Sequence, residues 1–370
     1  MTKLSRLHSL ELTKSLVKWP LKYWRQNLWH KIISIALIIA ILTTGTMYGI
    51  AQWYIWSVRN QPLELGVSFI PDYAQYLGLE PQTTMDALLH IGVRHLRLVS
   101  YWSDMEASPG QYDFSQLDWQ FQKAEATGAK VSLSIGLRQP RWPECHAPTW
   151  VDLSQSASKW QPQLENFMTA VIKRYQASPS LESYQLENEY FLKQYGFFGA
   201  CTNFSRDRLI SEYNLVKKLD SRHPLIIARS NNDLGIPLGD PKPDLYGVSI
   251  YKRVWDESLH THRYLEYPFP AWYYSFLAGV QKIHDGREMI VHEMQAEAWP
   301  PRGQPIPETP LAEQNKSINA KRLKDRFKYA RATGMRQVYM WGAEYWYYRM
   351  QILHDPSLWQ AAQQEFENTK

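Results

Sequence analysis

Apolar stretches of strand length alternate along this chain with stretches of helical period. The strand-length runs are Leu63–Ile70, Val93–Ser100, Lys130–Gly136, Ser183–Glu189, Leu225–Ser230, Leu245–Tyr251, Met289–Glu293 and Gln337–Trp341. Helical patterns fall between them at Thr83–Ile91, Leu117–Thr127, Leu164–Tyr175, Arg206–Leu219, Trp272–His284 and Leu311–Ala332. Gly92, Gly128, Gly286 and Gly334 follow four of these within a residue or two, as helix C-terminal glycines do. The alternation is that of parallel strands joined by crossover helices, and eight strands are what a closed (β/α)8 TIM barrel requires. An open doubly wound sheet alternates in the same way, but no GxGxxG follows a strand, which removes its dinucleotide-binding form. Trp255–Pro270 and Trp299–Pro310 read as long loops, a feature of functional sites in compact domains.

The N-terminal part has a different pattern. No residue from Ile32 to Val58 is charged, and a span of about 20 apolar residues crosses a bilayer. Trp53, Tyr54 and Trp56 stand where an interfacial aromatic belt would lie. A cleaved signal peptide is the competing reading, but it would have a shorter apolar core and small residues after it. The expected organisation is a basic cytoplasmic segment over 1–31, a transmembrane helix over 32–58 and the barrel over 59–370. Residues 1–31 hold seven Lys and Arg against Glu11 alone, so of the net charge of +5 the remainder carries −1. The positive-inside rule then places the N-terminus in the cytoplasm and the barrel outside the cell membrane as a single-pass protein. A nearly neutral barrel also argues against a nucleic-acid partner.

An exterior location suits the two cysteines. Cys145 and Cys201 lie in loops after strands, and a disulfide between them is feasible if both loops gather at one end of a barrel; otherwise they are unrelated thiols. Neither stands in a CxxC or HxxxH spacing, so a metal site is not expected.

Active sites of such barrels form at the C-terminal ends of strands, and two carboxylates stand out there. The fourth run ends Glu187-Asn188-Glu189-Tyr190, and the seventh ends His292-Glu293. Glycosidic hydrolysis uses two such groups, one to protonate the leaving oxygen and one to attack the anomeric carbon or activate water. A gap of about 5–5.5 Å gives the covalent, retaining route, and one of roughly 6.5–9.5 Å gives inversion. Glu187 and Glu297, both within four residues, are rivals for these roles, and His292 reads as packing or hydrogen bonding. The 14% aromatic content, gathered near the ends of apolar runs, suits sugar faces.

These residues resemble the clan A glycoside hydrolases, in which an Asn-Glu pair closes the fourth strand and a Glu closes the seventh. Glu187-Asn188-Glu189-Tyr190 looks like the Glu-Asn-Glu-Tyr motif of one β-galactosidase family, although many clan members have Pro where Tyr190 stands. Tyr101-Trp102-Ser103-Asp104-Met105-Glu106 with Pro109-Gly110-Gln111-Tyr112-Asp113-Phe114 is similar to the clan's loop after strand two. The resemblance implies a retaining hydrolase or transglycosidase, with Glu189 as general acid/base and Glu293 as nucleophile. It further implies that Asn188 bonds the sugar 2-hydroxyl, Tyr251 bonds the nucleophile, Arg97 supplies charge and Trp341 stacks beneath the sugar. Trp102, Trp142 and Trp299 are candidates for further subsites. No cofactor is needed, and the partner is an oligo- or polysaccharide outside the cytoplasm. The rival function is a non-catalytic glycan-binding protein on the same barrel.

Overall fold

The computed structural model describes residues 27–190, 205–230, 235–257, 261–302 and 304–368. Eight parallel strands close into a barrel: β1 (Glu64–Ser68), β2 (His95–Val99), β3 (Lys130–Ile135), β4 (Leu181–Leu186), β5 (Leu225–Arg229), β6 (Leu245–Ile250), β9 (Glu288–Gln295) and β10 (Gln337–Trp341), with β10 pairing back onto β1. Six of the strands lie within the expected runs; β4 begins two residues before its run, and β9 extends one residue before its run and two beyond it. The antiparallel hairpin of β7 (Arg253–Asp256) and β8 (Arg263–Glu266) stands inside the expected loop Trp255–Pro270 and extends past its start.

An apolar shell fills the space between strands and helices, with Leu96, Leu98, Val131, Leu133, Ile227 and Val291 buried in it. The barrel helices among the described residues are α2 (Pro81–His90), α3 (Ser115–Thr127), α4 (Ala157–Tyr175), α5 (Arg206–Leu219), α6 (Ala271–Asp285), α7 (Ala320–Ala332) and α8 (Ser357–Glu367). Local chemistry sets their ends. The Glu80 carboxylate caps α2 by accepting from the Gln82 and Thr83 amides, with Pro81 in the first turn, and Ser205 caps α5 through Arg208 N–H. The helix expected over Leu311–Ala332 is broken in two. Ile318 is extended and buried, and Asn319 caps α7 by accepting from Arg322 N–H at 3.0 Å.

Ahead of the barrel runs one long helix, α1 (Leu28–Val58), capped by the Asn27 side chain. Its apolar window has a mean hydropathy of 2.0 and buries nothing, so by length and composition it could cross a membrane. Its last turns behave differently: Ala51, Tyr54 and Val58 are buried against the barrel. Tyr54 therefore packs on protein, while Trp53 and Trp56 remain exposed.

Candidate active site

The barrel interior at the mouth is polar. Arg97, on β2, is buried and donates to four groups: Glu293 Oε1 at 2.8 Å, Asn188 Oδ1 at 2.9 Å, Gln185 Oε1 at 2.5 Å and Ser68 Oγ at 3.3 Å. A buried guanidinium with four acceptors around it is not left an unpaired charge, which would be costly in a dry site. The other Glu293 oxygen accepts from Tyr251 O–H at 2.7 Å, with Ser249 Oγ at 3.5 Å. Burial and the Glu293 charge push the Tyr251 phenol well above its usual value, so it stays a donor.

Glu293 owes its place to an irregularity in β9. Val248 pairs with Val291, whereas the next residue, Ser249, pairs with Glu293, so β9 carries one extra residue at His292. The pairing with β10 shifts in the same stretch, between Val338 and Met340. A bulge of this kind re-aims the side chains that follow it. His292 itself is fully buried, its ring packed where a Cβ on Gly247 would sit, and burial holds it neutral.

Strand β4 ends at Leu186, three residues earlier than expected, and the acidic motif forms a strained turn beyond it. Glu187 has φ 56° and Glu189 φ 41°, a left-handed conformation that non-glycine residues seldom adopt outside functional turns. The Glu187 carboxylate accepts from Leu137 N–H at 2.7 Å, Arg138 N–H at 3.1 Å and two Arg208 nitrogens at 3.0 and 3.3 Å. Gly136 makes room for it, since a Cβ there would lie 2.4 Å from its Oε1. Glu189 is buried, and its charge falls on Tyr251 and on Glu144, the two groups that Glu293 also affects. The two glutamates thus share one neighbourhood at the mouth.

Glu144 is the residue that sequence reasoning missed. It sits at φ 70° in the loop after β3, accepts from Asn188 Nδ2 at 2.9 Å, and is buried beside both glutamates. Burial, with the Glu293 charge next, raises its carboxyl well above the usual range. Its one signal in the sequence is a position two residues after Trp142.

The aromatic candidates separate into groups. Trp341, at the end of β10, is nearly covered: the Arg141 guanidinium lies 4.5 Å from its ring and 3.3 Å from that of Tyr73. Arg141 is held there by Glu297 at 3.2 Å, which engages that carboxylate in an ion pair. Trp299 meets Tyr251 edge to face at 5.3 Å and is 40% exposed, and Trp142 is 59% exposed in the loop after β3. Trp102 corrects an expectation. It is fully buried between Trp150 and Phe167, donates to Glu106 at 2.5 Å and belongs to the core, so no sugar reaches it.

Cys201 lies outside the described residues, and so does the expected bridge to Cys145. Among the described residues, one group could hold a metal ion: Glu64, His95 and Glu182 at the foot of the barrel, far from the mouth. Gln337 donates to both of its carboxylates, at 3.2 and 3.1 Å, so a hydrogen-bond network already accounts for the cluster.

A family model described as β-galactosidase, of glycoside hydrolase family 42, matches residues 80–225, the stretch that holds β2 to β4 and the Asn188-Glu189 turn. No curated protein matches the chain. Among solved structures, a GH5_18 protein from Bifidobacterium longum subsp. infantis aligns with a TM-score of 0.56 at 11% identity, over 83% of this chain and 79% of that one. A GH5_18 protein from Streptomyces cattleya, solved with GlcNAc, aligns at 0.55 and 12% identity over 83% and 80%. The β-galactosidase of Rahnella sp. R3 aligns at 0.52 and 12% identity over 83% of this chain but 56% of its own, so the chain spans about half of that enzyme. At such identities the likeness speaks for the fold, and the sequence match over 80–225 adds the family signal. The chain thus has the closed eight-stranded TIM barrel of these glycoside hydrolases, and over residues 80–225 its sequence is similar to the β-galactosidase family.

Proposed function

We propose that the protein is a retaining glycosidase acting outside the cytoplasm, with Glu293 as nucleophile and Glu189 as general acid/base. The observation that carries this reading is the pair of fixed donors on Glu293, Arg97 at 2.8 Å and Tyr251 at 2.7 Å. They donate to both oxygens of that carboxylate and orient it for attack on an anomeric carbon. Glu189 shares its neighbourhood, while the rival carboxylates are engaged elsewhere, Glu187 by Arg208 and Glu297 by Arg141. Asn188, held by Arg97 and Glu144, is placed to bond a sugar hydroxyl beside the reacting carbon.

In the first step Glu293 forms a bond to the anomeric carbon as the leaving oxygen takes a proton from Glu189. Water then displaces Glu293 from that carbon and gives its proton back to Glu189; a sugar hydroxyl in place of water gives transfer. The N-terminal basic surplus and the apolar helix α1 support an extracytoplasmic barrel on a single-pass anchor. The test is the anomeric configuration of the first product, followed by proton NMR on aryl glycosides. Retained configuration, lost in Glu293→Gln and Glu189→Gln, supports the proposal. Inverted product refutes the retaining route, and binding without turnover by the wild type favours the glycan-binding alternative.

A further inference from the structure

The direction in which α1 leaves the barrel says where the active-site mouth points. In this fold each outer helix returns the chain from the mouth to the foot, so α6 begins at Ala271 beside the mouth and ends at Asp285 beside the foot. Helix α1 runs alongside it in the same sense. Tyr48 meets Trp272 with ring centroids 5.8 Å apart, and Ile50 and Tyr54 pack against Gly279. Further down, Lys282 lies 6.0 Å from the Tyr54 ring and Ile55 packs against Gly334 at the foot. The contact is close because Gly279 has no side chain: a Cβ there would lie 2.8 Å from Ile50 Cγ2.

The part of α1 that precedes Tyr48 therefore projects past the barrel on the mouth side. It runs from Leu28 to Met47, and at about 1.5 Å per residue its 20 residues span about 30 Å. That is about the thickness of a bilayer's hydrocarbon core. Tyr48 and Trp272 would then stand at the membrane surface, where paired aromatics are favoured. Exposed apolar side chains also stand on the mouth-side loops: Trp142 after β3, Trp299 after β9, and Leu238, whose carbonyl is held by Arg206 at the start of α5.

We infer that the barrel mouth faces the bilayer, and that the sugar it acts on is the headgroup of a glycolipid. This rests on the glycosidase reading of the mouth. The bond broken joins the anomeric carbon to the lipid's hydroxyl oxygen. Glu189 supplies the proton that leaves with the lipid alcohol, Glu293 holds the sugar, and water releases it while restoring the proton to Glu189. A soluble polymer would have to enter between the mouth and the membrane, whereas a glycolipid headgroup already lies in that plane.

Two measurements on the full chain in phosphatidylcholine vesicles test this. A fluorophore on Leu238→Cys, at the mouth, should be quenched by headgroup-level doxyl lipid at least twofold more than one on Lys130→Cys, at the foot; equal or reversed quenching overturns the orientation. In the second, β-galactosyl, β-glucosyl and β-mannosyl diacylglycerols in the vesicle are compared with the matching methyl glycosides in solution. A preference of tenfold or more in kcat/KM for at least one glycolipid is expected. Gly279→Leu, which pushes α1 off α6, should erase that preference and leave methyl glycoside turnover within twofold. Methyl glycosides turned over as well as the lipids would overturn the glycolipid assignment and leave the glycosidase standing. Turnover of neither would sink the glycosidase reading itself, whatever the quenching shows.

Discussion

Glu187 and Glu189 stand two residues apart in one turn, both buried and both left-handed, yet their surroundings differ. Glu187 faces outward from the axis into a closed group with Arg208 and Glu212, where one guanidinium serves two carboxylates at 3.0 and 2.5 Å. Glu189 belongs with Glu293, Tyr251 and Glu144 at the mouth, in a group that has more acid than base. Burial of a carboxylate is thus no sign of chemistry by itself. What differs is the company it keeps: Arg208 and Glu212 around Glu187, and Glu293, Tyr251 and Glu144 near Glu189.

The comparison breaks most sharply under paired amide substitutions. Glu189→Gln should lower kcat by about 10²–10⁴-fold, the usual range for a lost acid/base, with an unchanged melting temperature. Glu187→Gln should do the reverse, losing stability while each folded molecule keeps turnover within about tenfold; steady-state kinetics beside calorimetry reads both. If the two variants swap phenotypes, the roles are exchanged. Arg208→Met comes next. It strands the buried Glu187 carboxylate and removes the partner of Glu212, and should cost about 3–5 kcal/mol in denaturant unfolding. A smaller loss is expected at the mouth: Tyr251→Phe removes one hydrogen bond to a charged group, about 1.5–3 kcal/mol, so kcat should fall roughly 10–100-fold with KM little changed.

The smallest effect is on the pH dependence of stability. Burial raises the Glu212 carboxyl from 4.5 to about 8, against the lowering pull of Arg208. The folded state therefore holds a proton that the unfolded chain releases near 4.5. The stability this gives is complete below that pH and is lost as pH rises through about 8. The melting temperature should decline between pH 5 and 9, and Glu212→Gln should flatten the decline. A wild-type curve that rises over this window would contradict the assignment.

The eight barrel strands were legible because each is a short buried run between turn residues; Asn188-Glu189 and Glu293 drew notice because acids at strand ends are rare without a partner or a task. Other features depend on neighbours that no local pattern reveals. The extra residue at His292 is visible only as a shift in pairing between β9 and β6. Trp102 and Trp299 look alike in sequence, each near a strand end, but one turns into the core and the other toward solvent. Glu144 lies in a loop without periodicity, so its approach to Asn188 depends on how that loop folds back. Along α1, Tyr54 reads as an interfacial aromatic until Gly279 and Glu288 are seen beside it. Hydropathy finds an apolar helix, but not which of its turns pack on protein.

The account depends on Glu293 forming a covalent bond to the sugar, and trapping that bond is the most direct test. Incubation with activated 2-deoxy-2-fluoro glycosides, which slow release of the intermediate, should add one fluoroglycosyl group, and fragmentation of the labelled peptide should place it on Glu293. A label on Glu187, Glu144 or Glu297, or turnover of these reagents with inversion and no label, would contradict the account.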